Sequence, residues 1–283
     1  MLTQEEGRLR FLRRRHESPR RRFRRGVYLL PSLFTMGHMF CGYACVVYAT
    51  RGEFETAAPF IGVAIVLDML DGRIARMTGT ASEFGVQFDS LADIITFGIA
   101  PAILAFEWGL VSLGRLGWAA GFMFLAAAAM RLARFNIQSA AGGDKRYFVG
   151  LPSPAAAAIP AATVYATASV FPTGIHDYRS ALPVLVVVLV PAILMVSKIR
   201  FRSFKTFDLQ TRRPYTVLLL IAAGIVLVTT HPRYVLLGTA YTYLSSAFIG
   251  MAITRFQHRG GRIPAPTSES PAEHQNDRDS AAV

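Results

Sequence analysis

"LDMLDGRIARMTGTASEFGVQFDSLAD", residues Leu67–Asp93, places four aspartates between two strongly apolar stretches. The apolar run Ala57–Leu67 leads directly into it, and another apolar run, Ile94–Leu104, follows. An ionisable residue at membrane depth costs about 2.5–3.5 kcal/mol on insertion scales, so such residues usually have a functional role. The stretch therefore predicts an acidic functional site where two membrane helices meet.

The composition of the whole chain supports a membrane protein. Of the 283 residues, 52% are hydrophobic and 17% are charged, whereas soluble domains carry about 25% charged residues. The apolar residues fall in blocks of about 20, the length a helix needs to cross a bilayer. We therefore expect an all-α integral membrane protein, a single bundle of about eight transmembrane helices. The predicted spans are Leu29–Thr50, Thr56–Arg76, Phe88–Leu110, Leu116–Asn136, Pro152–Phe171, Leu182–Lys198, Tyr215–Thr230 and Tyr234–Arg255.

The placement of the basic residues predicts the orientation of this bundle. The net charge is +12, and ten arginines lie within residues 8–25. If the N-terminus is inside, all but four of the 30 Lys and Arg lie on the inner side. Those four are Arg51, Arg115, Arg179 and Arg233. By the positive-inside rule we expect both termini to be cytoplasmic, in a multi-pass protein of the cytoplasmic membrane.

Three regions follow from these patterns. Residues 1–28 form a basic cytoplasmic arm, residues 29–256 the transmembrane domain, and residues 257–283 a tail rich in Gly, Pro, Ser and charge that we expect to be disordered. The arm joins a membrane span directly, and each basic residue near an anionic surface contributes about 1 kcal/mol of attraction. Membrane lipids are therefore the expected partners of the arm, and no nucleic acid is expected.

The spacing of the four aspartates predicts that they meet. Asp68 and Asp71 are three residues apart, and Asp89 and Asp93 are four apart, so each pair occupies one face of its helix. The second and third spans are antiparallel neighbours joined by a short inner loop, so all four carboxylates converge at the cytoplasmic end. They would repel one another unless a cation lies among them. Such oxygen ligands suit Mg²⁺ or Mn²⁺.

Neighbouring residues indicate what the metal site acts on. Gly72 and Gly85 flank the loop and allow the backbone to approach a ligand closely. Arg76 follows Gly72 by one helical turn, where it can meet a phosphate. Together these features indicate phosphoryl-transfer chemistry at a membrane surface. The alternative to a catalytic site is that the aspartates form ion pairs with Arg73 and Arg76 in the headgroup layer and have no other role.

The same stretch resembles the signature of the CDP-alcohol phosphatidyltransferase family, D-x2-D-G-x2-A-R-x8-G-x3-D-x3-D. All eight fixed positions and every gap match, which disfavours the simple ion-pair alternative. The matching residues are Asp68, Asp71, Gly72, Ala75, Arg76, Gly85, Asp89 and Asp93.

The resemblance implies roles for these residues. Two divalent ions, Mg²⁺ or Mn²⁺, would be held by the aspartates of the signature, and Asp93 would be the general base that takes the proton of the acceptor alcohol. The resemblance also implies CDP-diacylglycerol as the donor and a homodimer. The metal ligands would be Asp68, Asp71, Asp89 and Asp93. The CDP contacts would be Gly72, Arg76 and Gly85 of the signature, Ser82 in the connecting loop, and Thr35. Thr35 belongs to "LPSLFT", which resembles a P-N-x-x-T motif of the family's first span with Ser32 in the place of Asn.

Other segments resemble the bacterial phosphatidylserine synthases within this family. They are "RLARFN" at Arg131–Asn136, "FVGLPSPAAA" at Phe148–Ala157 and the segment Leu194–Lys205. His38 stands where those proteins usually show Asn, and we expect it to be an ordinary hydrogen-bonded helix residue. The resemblance implies transfer to L-serine, with phosphatidylserine and CMP as products.

The sequence leaves the acceptor residues and several alternatives open. The candidates that could bind the serine carboxylate or the lipid phosphate are Arg131, Arg134, Asn136, Lys198 and Arg200. A related enzyme that uses glycerol 3-phosphate or inositol phosphate is the nearest alternative. A cation transporter and a non-catalytic membrane scaffold are alternatives of other classes.

Overall fold

The structure is a computed structural model, and it describes most of the predicted bundle. The described residues are 29–79, 82–140, 147–197, 200–202, 222, 226–227 and 229–260. The basic arm, the tail beyond residue 260, Lys198 and most of the predicted span Tyr215–Thr230 lie outside them.

The regular secondary structure of the described residues is helical, apart from two short strands. The elements in chain order are α1 (Leu29–Thr50), α2 (Phe54–Thr78), α3 (Glu83–Asp93), a π-helix (Ile94–Ile99), α4 (Ala100–Trp108), a 3₁₀ turn (Leu110–Leu113), α5 (Arg115–Ala140), β1 (Tyr147–Val149), α6 (Ser153–Thr167), α7 (Tyr178–Val196), β2 (Arg200–Arg202) and α8 (Pro232–Gly260). The two strands pair antiparallel, with Phe148 opposite Phe201. Three residues each are too few for a periodic pattern, which is why the sequence did not predict them.

Within the described ranges, four helical stretches are long and apolar enough to cross a membrane. They are Ser32–Thr50, Glu83–Trp108, Arg115–Gln138 and Tyr178–Val196. The second of these is one continuous rod made of α3, the π-helix and α4. This architecture is that of a helical, multi-pass membrane protein, as the composition predicts.

The exposed face of α1 is apolar, as a lipid-facing helix requires. Leu33, Met36, Phe40 and Tyr43 are each more than half exposed. Their spacing of three, four and three residues places them on one side of the helix. An exposed apolar stripe of this kind marks a membrane or partner contact rather than a surface that faces water.

The opposite face of α1 packs closely against α2. Cys45, Ala57, Ile61 and Ala64 are completely buried in this contact region. Small side chains let two helix backbones approach closely, which is the usual means of packing helices within a bilayer. The rigid α1–α2 pair carries Asp68 and Asp71 near its end.

The contact between α1 and the π-helix is tighter still. The Oγ1 of Thr96 donates a hydrogen bond of 3.2 Å to the backbone carbonyl of His38. A Cβ on Gly42 would lie 2.7 Å from that same Thr96 Oγ1. Only glycine therefore fits at position 42. The contact brings His38 beside Asp93, which ends α3 just before the π-helix, and π-helical turns often occur at functional sites.

A second close contact sets the start of α6. Gly150 has a φ of 88°, and a Cβ there would lie 2.4 Å from the carbonyl oxygen of Met195. The next residue, Leu151, donates its N–H to the carbonyl of Leu194 at 3.1 Å. These contacts place the first turn of α6, including Ser153, between α5 and α7.

Candidate functional site

The structure brings the carboxylates of α2 and α3 together. One donor atom each from His38, Asp68, Asp71 and Asp89 can be chosen so that all four lie within 4.8 Å of one another. The two helices are joined by the short connection that follows Gly79, whose φ of 62° ends α2 in a left-handed cap. These four donors are a group that can hold a metal ion.

Asp71 is the most deeply placed of these carboxylates. Its residue is only 3% exposed. The hydroxyl of Thr35 on α1 donates a hydrogen bond of 3.0 Å to Asp71 Oδ2. Thr35, which the resemblance to the family suggested as a CDP contact, therefore orients a carboxylate of the cluster.

Two other carboxylate oxygens have no hydrogen-bond partner among the described residues. They are Asp89 Oδ1 and Asp93 Oδ1, and both atoms are buried. Buried polar atoms are nearly always satisfied in proteins, because an unpaired one costs free energy. Unpaired carboxylate oxygens that face a cluster of further carboxylates are what a bound divalent cation would satisfy. The residues present therefore fit the metal that the signature implies.

His38 is a member of this cluster, and the sequence interpretation of it was wrong. Its Nδ1 lies 3.4 Å from Asp71 Oδ2, and its Nε2 lies 3.8 Å from Asp93 Oδ1. Neither nitrogen forms a hydrogen bond within the described part of the chain. The available signal was its position one turn after Thr35, on the same face of a membrane helix.

The expected nucleotide contacts other than Thr35 lie towards the end of α2 and at the start of α3. Ser82 is the N-cap of α3, and its Oγ accepts the N–H of Gly85 at 3.0 Å. A Cβ on Gly85 would lie 3.1 Å from that oxygen, so the small residue keeps the cap compact. On α2, Arg76 is exposed one turn beyond Gly72. The capping role of Ser82 was not anticipated from the sequence.

Arg131 on α5 interacts electrostatically with carboxylates of the same cluster. Its Nη1 donates a hydrogen bond of 2.7 Å to Ser153 Oγ on α6. It is an electrostatic neighbour of Asp93 and Asp68. Its Nε is buried and has no hydrogen-bond partner among the described residues. Ser153 thus holds the guanidinium through Nη1, whereas the Nε–H group can still donate a hydrogen bond to a ligand.

The other acceptor candidates have different surroundings. Arg134 donates to the carbonyl of Val196 at 3.2 Å, which joins α5 to α7. Asn136 donates to Ser90 Oγ at 3.0 Å, which joins α5 to α3. Arg200 lies in β2, where its backbone pairs with Val149. Of the candidates whose side chains are described, Arg131 is the one with an electrostatic interaction with carboxylates of the cluster.

Comparisons with known proteins identify the family of the chain. The profile of the family described as CDP-alcohol phosphatidyltransferase matches residues 28–254. A CDP-diacylglycerol–serine O-phosphatidyltransferase of Helicobacter pylori is 39% identical over 179 residues, which is 63% of this chain and 74% of that protein. One from Mycobacterium leprae is 36% identical over 143 residues, 49% of this chain and 47% of that protein. An archaetidylserine synthase of Methanothermobacter thermautotrophicus is 33% identical over 174 residues, 61% of this chain and 69% of that protein. The profile match spans most of the chain, and the chain therefore belongs to the CDP-alcohol phosphatidyltransferase family.

Proposed function

We propose that the protein is a phosphatidylserine synthase, which transfers the phosphatidyl group of CDP-diacylglycerol to L-serine and releases CMP. The observation that carries the proposal is that Arg131, which donates a hydrogen bond to Ser153, interacts electrostatically with Asp93 and Asp68 of the carboxylate cluster. Relatives named for serine transfer include both phosphatidyl and archaetidyl enzymes. Both names include serine, whereas the lipid differs between them. They therefore support serine as the acceptor more strongly than they support any particular type of lipid chain.

The carboxylates would hold the metal. Asp68, Asp71, Asp89 and Asp93 are the proposed ligands of two divalent ions, Mg²⁺ or Mn²⁺. Such ions, when bound, stabilise the negative charge that develops on the departing phosphate and orient the pyrophosphate. The unpaired oxygens of Asp89 and Asp93 support this assignment.

Asp93 is the proposed general base. In the reaction the serine hydroxyl oxygen forms a bond to the phosphorus that carries the diacylglycerol, and the bond from that phosphorus to the CMP oxygen breaks. The hydroxyl proton passes to Asp93, which ends α3 next to the cluster with Oδ1 unpaired. A general base must lie within hydrogen-bond reach of the proton that it removes.

Arg131 is the proposed partner of the serine carboxylate. Serine is short, so the cation that binds its carboxylate must lie close to the base that accepts its hydroxyl proton. Arg131 is the described candidate that interacts electrostatically with Asp93. The planar guanidinium also suits a carboxylate, which it can bind through two parallel hydrogen bonds.

The CDP group would bind where α2 ends and α3 begins. Arg76 is exposed there and can meet a phosphate oxygen. The backbone N–H groups of the first turn of α3, after the Ser82 cap, favour negative charge. Gly72 and Gly85 leave room beside these groups, and Thr35 would act through its hydrogen bond to Asp71.

The membrane arrangement extends the same proposal. We infer eight spans with both termini in the cytoplasm, an active site at the cytoplasmic face of the cell membrane, and a homodimer. The clustering of basic residues at the predicted inner ends supports the orientation. The site then lies where a lipid substrate keeps its acyl chains in the bilayer and presents its pyrophosphate at the surface.

An acceptor panel tests the proposal. Washed membranes that contain the full chain would receive CDP-diacylglycerol and Mg²⁺ or Mn²⁺ with serine, glycerol 3-phosphate or inositol phosphate, and CMP and new lipid would be measured by mass. We expect phosphatidylserine only with serine and metal. Asp93→Asn should abolish it, whereas Asp177→Asn, which alters an exposed helix-capping aspartate far along the chain from the cluster, should not.

The other possible results of the acceptor panel would distinguish between the alternative functions. CMP release with a different acceptor alone would contradict serine as the substrate and leave the metal site standing. The absence of CMP with every acceptor, from protein that is shown to be folded, would contradict the catalytic proposal and favour a transporter or a scaffold.

A further inference from the structure

The imidazole of His38 is held rigidly against the carboxylate cluster. The residue is completely buried, and the ring of Phe97 stacks on it with centroids 5.9 Å apart and planes inclined by 16°. The hydrogen bond from Thr96 fixes its backbone. Both ring nitrogens point at carboxylates, Asp71 on one side and Asp93 on the other. Solvent cannot satisfy these nitrogens because the side chain has no exposed surface.

The distances suit shared coordination better than direct hydrogen bonding. The separations of 3.4 and 3.8 Å exceed those of good N–H···O hydrogen bonds, which are 2.7–3.2 Å. Ligand atoms about 2.1 Å from one octahedral ion lie about 3 Å apart when adjacent and about 4.2 Å apart when opposite. The chosen donor atoms of His38 and the three aspartates lie within 4.8 Å of one another. This separation exceeds the distance between opposite ligands by about half an ångström.

We propose that His38 is a nitrogen ligand of the divalent ion, which it shares with Asp71, Asp68 and Asp89. The inference rests on the metal site of the proposed function, and it does not depend on serine as the acceptor. Two independent observations carry it: the clustered donor atoms, and a fully buried imidazole whose nitrogens have no hydrogen-bond partner in the described part of the chain.

A nitrogen ligand changes which metal the site prefers. Mg²⁺ binds almost entirely through oxygen, whereas imidazole is a good ligand for transition metals, and Mn²⁺ accepts it more readily than Mg²⁺ does. The site should therefore bind Mn²⁺ more tightly than Mg²⁺. His38→Asn, which keeps a short polar side chain, should lower the ratio of Mn²⁺ to Mg²⁺ affinity by at least about tenfold.

Pulsed electron paramagnetic resonance of bound Mn²⁺ tests the ligand directly. The full chain in detergent micelles or lipid nanodiscs would be loaded with Mn²⁺, and the spectrum would be examined for nitrogen hyperfine coupling. Protein grown with ¹⁵N-labelled histidine shows whether that nitrogen belongs to one of the six histidines. The variant His38→Asn assigns it, and His176→Asn, at an exposed loop position, is the matched control.

We expect nitrogen coupling that changes isotope in the labelled protein, disappears in His38→Asn and persists in His176→Asn. Bound Mn²⁺ without histidine coupling in the wild-type protein would overturn the proposal, and this measurement does not require any variant to fold. Coupling that persists in His38→Asn would overturn it as well. Failure of Mn²⁺ to bind at all would refute the metal site beneath both proposals, whereas failure of serine in the acceptor panel would leave the His38 ligand untouched.

Discussion

Replacement of Arg131 by Lys separates charge from geometry at the proposed acceptor site. Lysine keeps the positive charge near Asp93 and Asp68, so the electrostatic balance of the cluster is retained. It loses the planar fork that lets Arg131 donate to Ser153 at 2.7 Å and still offer other N–H groups to a ligand. The change therefore removes directed hydrogen bonding while it leaves the protein's net charge unaltered.

The expected size of the effect follows from the hydrogen bonds that are lost. A hydrogen bond to a charged group contributes about 1.5–3 kcal/mol, and about 1.4 kcal/mol corresponds to a factor of ten. Arg131→Lys should thus raise the KM for serine about 10- to 150-fold. The KM for CDP-diacylglycerol should change little, because the proposed CDP contacts lie on α1, α2 and the start of α3. Ser153→Ala, which removes only the anchor, should change the serine KM in the same direction but less.

Initial rates of CMP release give both constants when serine and CDP-diacylglycerol are varied separately in mixed micelles. Ser180→Ala is the control, because among the described residues that hydroxyl bonds to Asp177 in the exposed cap of α7. An unchanged KM for serine in Arg131→Lys would refute the assignment of Arg131 to the serine carboxylate. An equal rise in the KM of both substrates would refute it too, since it would indicate a general disturbance of the site.

Three further predictions concern the metal and the packing around it. Thr35→Val removes the 3.0 Å hydrogen bond to the buried carboxylate of Asp71, a loss of about 1–2 kcal/mol. The Mn²⁺ concentration that gives half-maximal activity should therefore rise about tenfold. An unchanged Mn²⁺ titration would contradict a role for this hydrogen bond. Gly42→Ala places a Cβ 2.7 Å from Thr96 Oγ1 and should destabilise the protein by about 1–3 kcal/mol, seen as a lower melting temperature in detergent. Gly62→Ala, whose Cβ would meet nothing within 4 Å, is the control, and an equal loss in both variants would argue against a tight contact at residue 42. Treatment with EDTA should abolish CMP release and added Mn²⁺ should restore it, whereas activity that survives chelation would contradict a metal-dependent reaction.

The aspartate cluster was predictable because its geometry is local. Asp68 and Asp71 share one helix face through the helical period alone, and the same is true of Asp89 and Asp93. The short connection between α2 and α3 then forces the two pairs together. The third span was less predictable: Ile94–Ile99 forms a π-helix within it, and the apolar pattern of the sequence does not distinguish that from a regular α-helix.

The Arg131–Ser153 contact could not be predicted from the sequence. Five polar or basic residues near the inner ends of the spans were equal candidates, since their residue types and positions alone do not rank them. The choice depends on the turn at Gly150, whose backbone fits against Met195 only without a side chain. That turn sets the position of Ser153, and Ser153 then holds the guanidinium of Arg131.

The sequence by itself determined the membrane-helical class, the family signature and the convergence of the aspartates, because hydropathy, helical period and short loops act locally along the chain. Only the tertiary structure placed His38 among those aspartates. His38 lies 30 or more positions before them on another helix, and nothing in the spacing requires them to meet. They meet because α1 packs against the third span where Gly42 lets Thr96 approach, a contact decided by the fit between two helix surfaces.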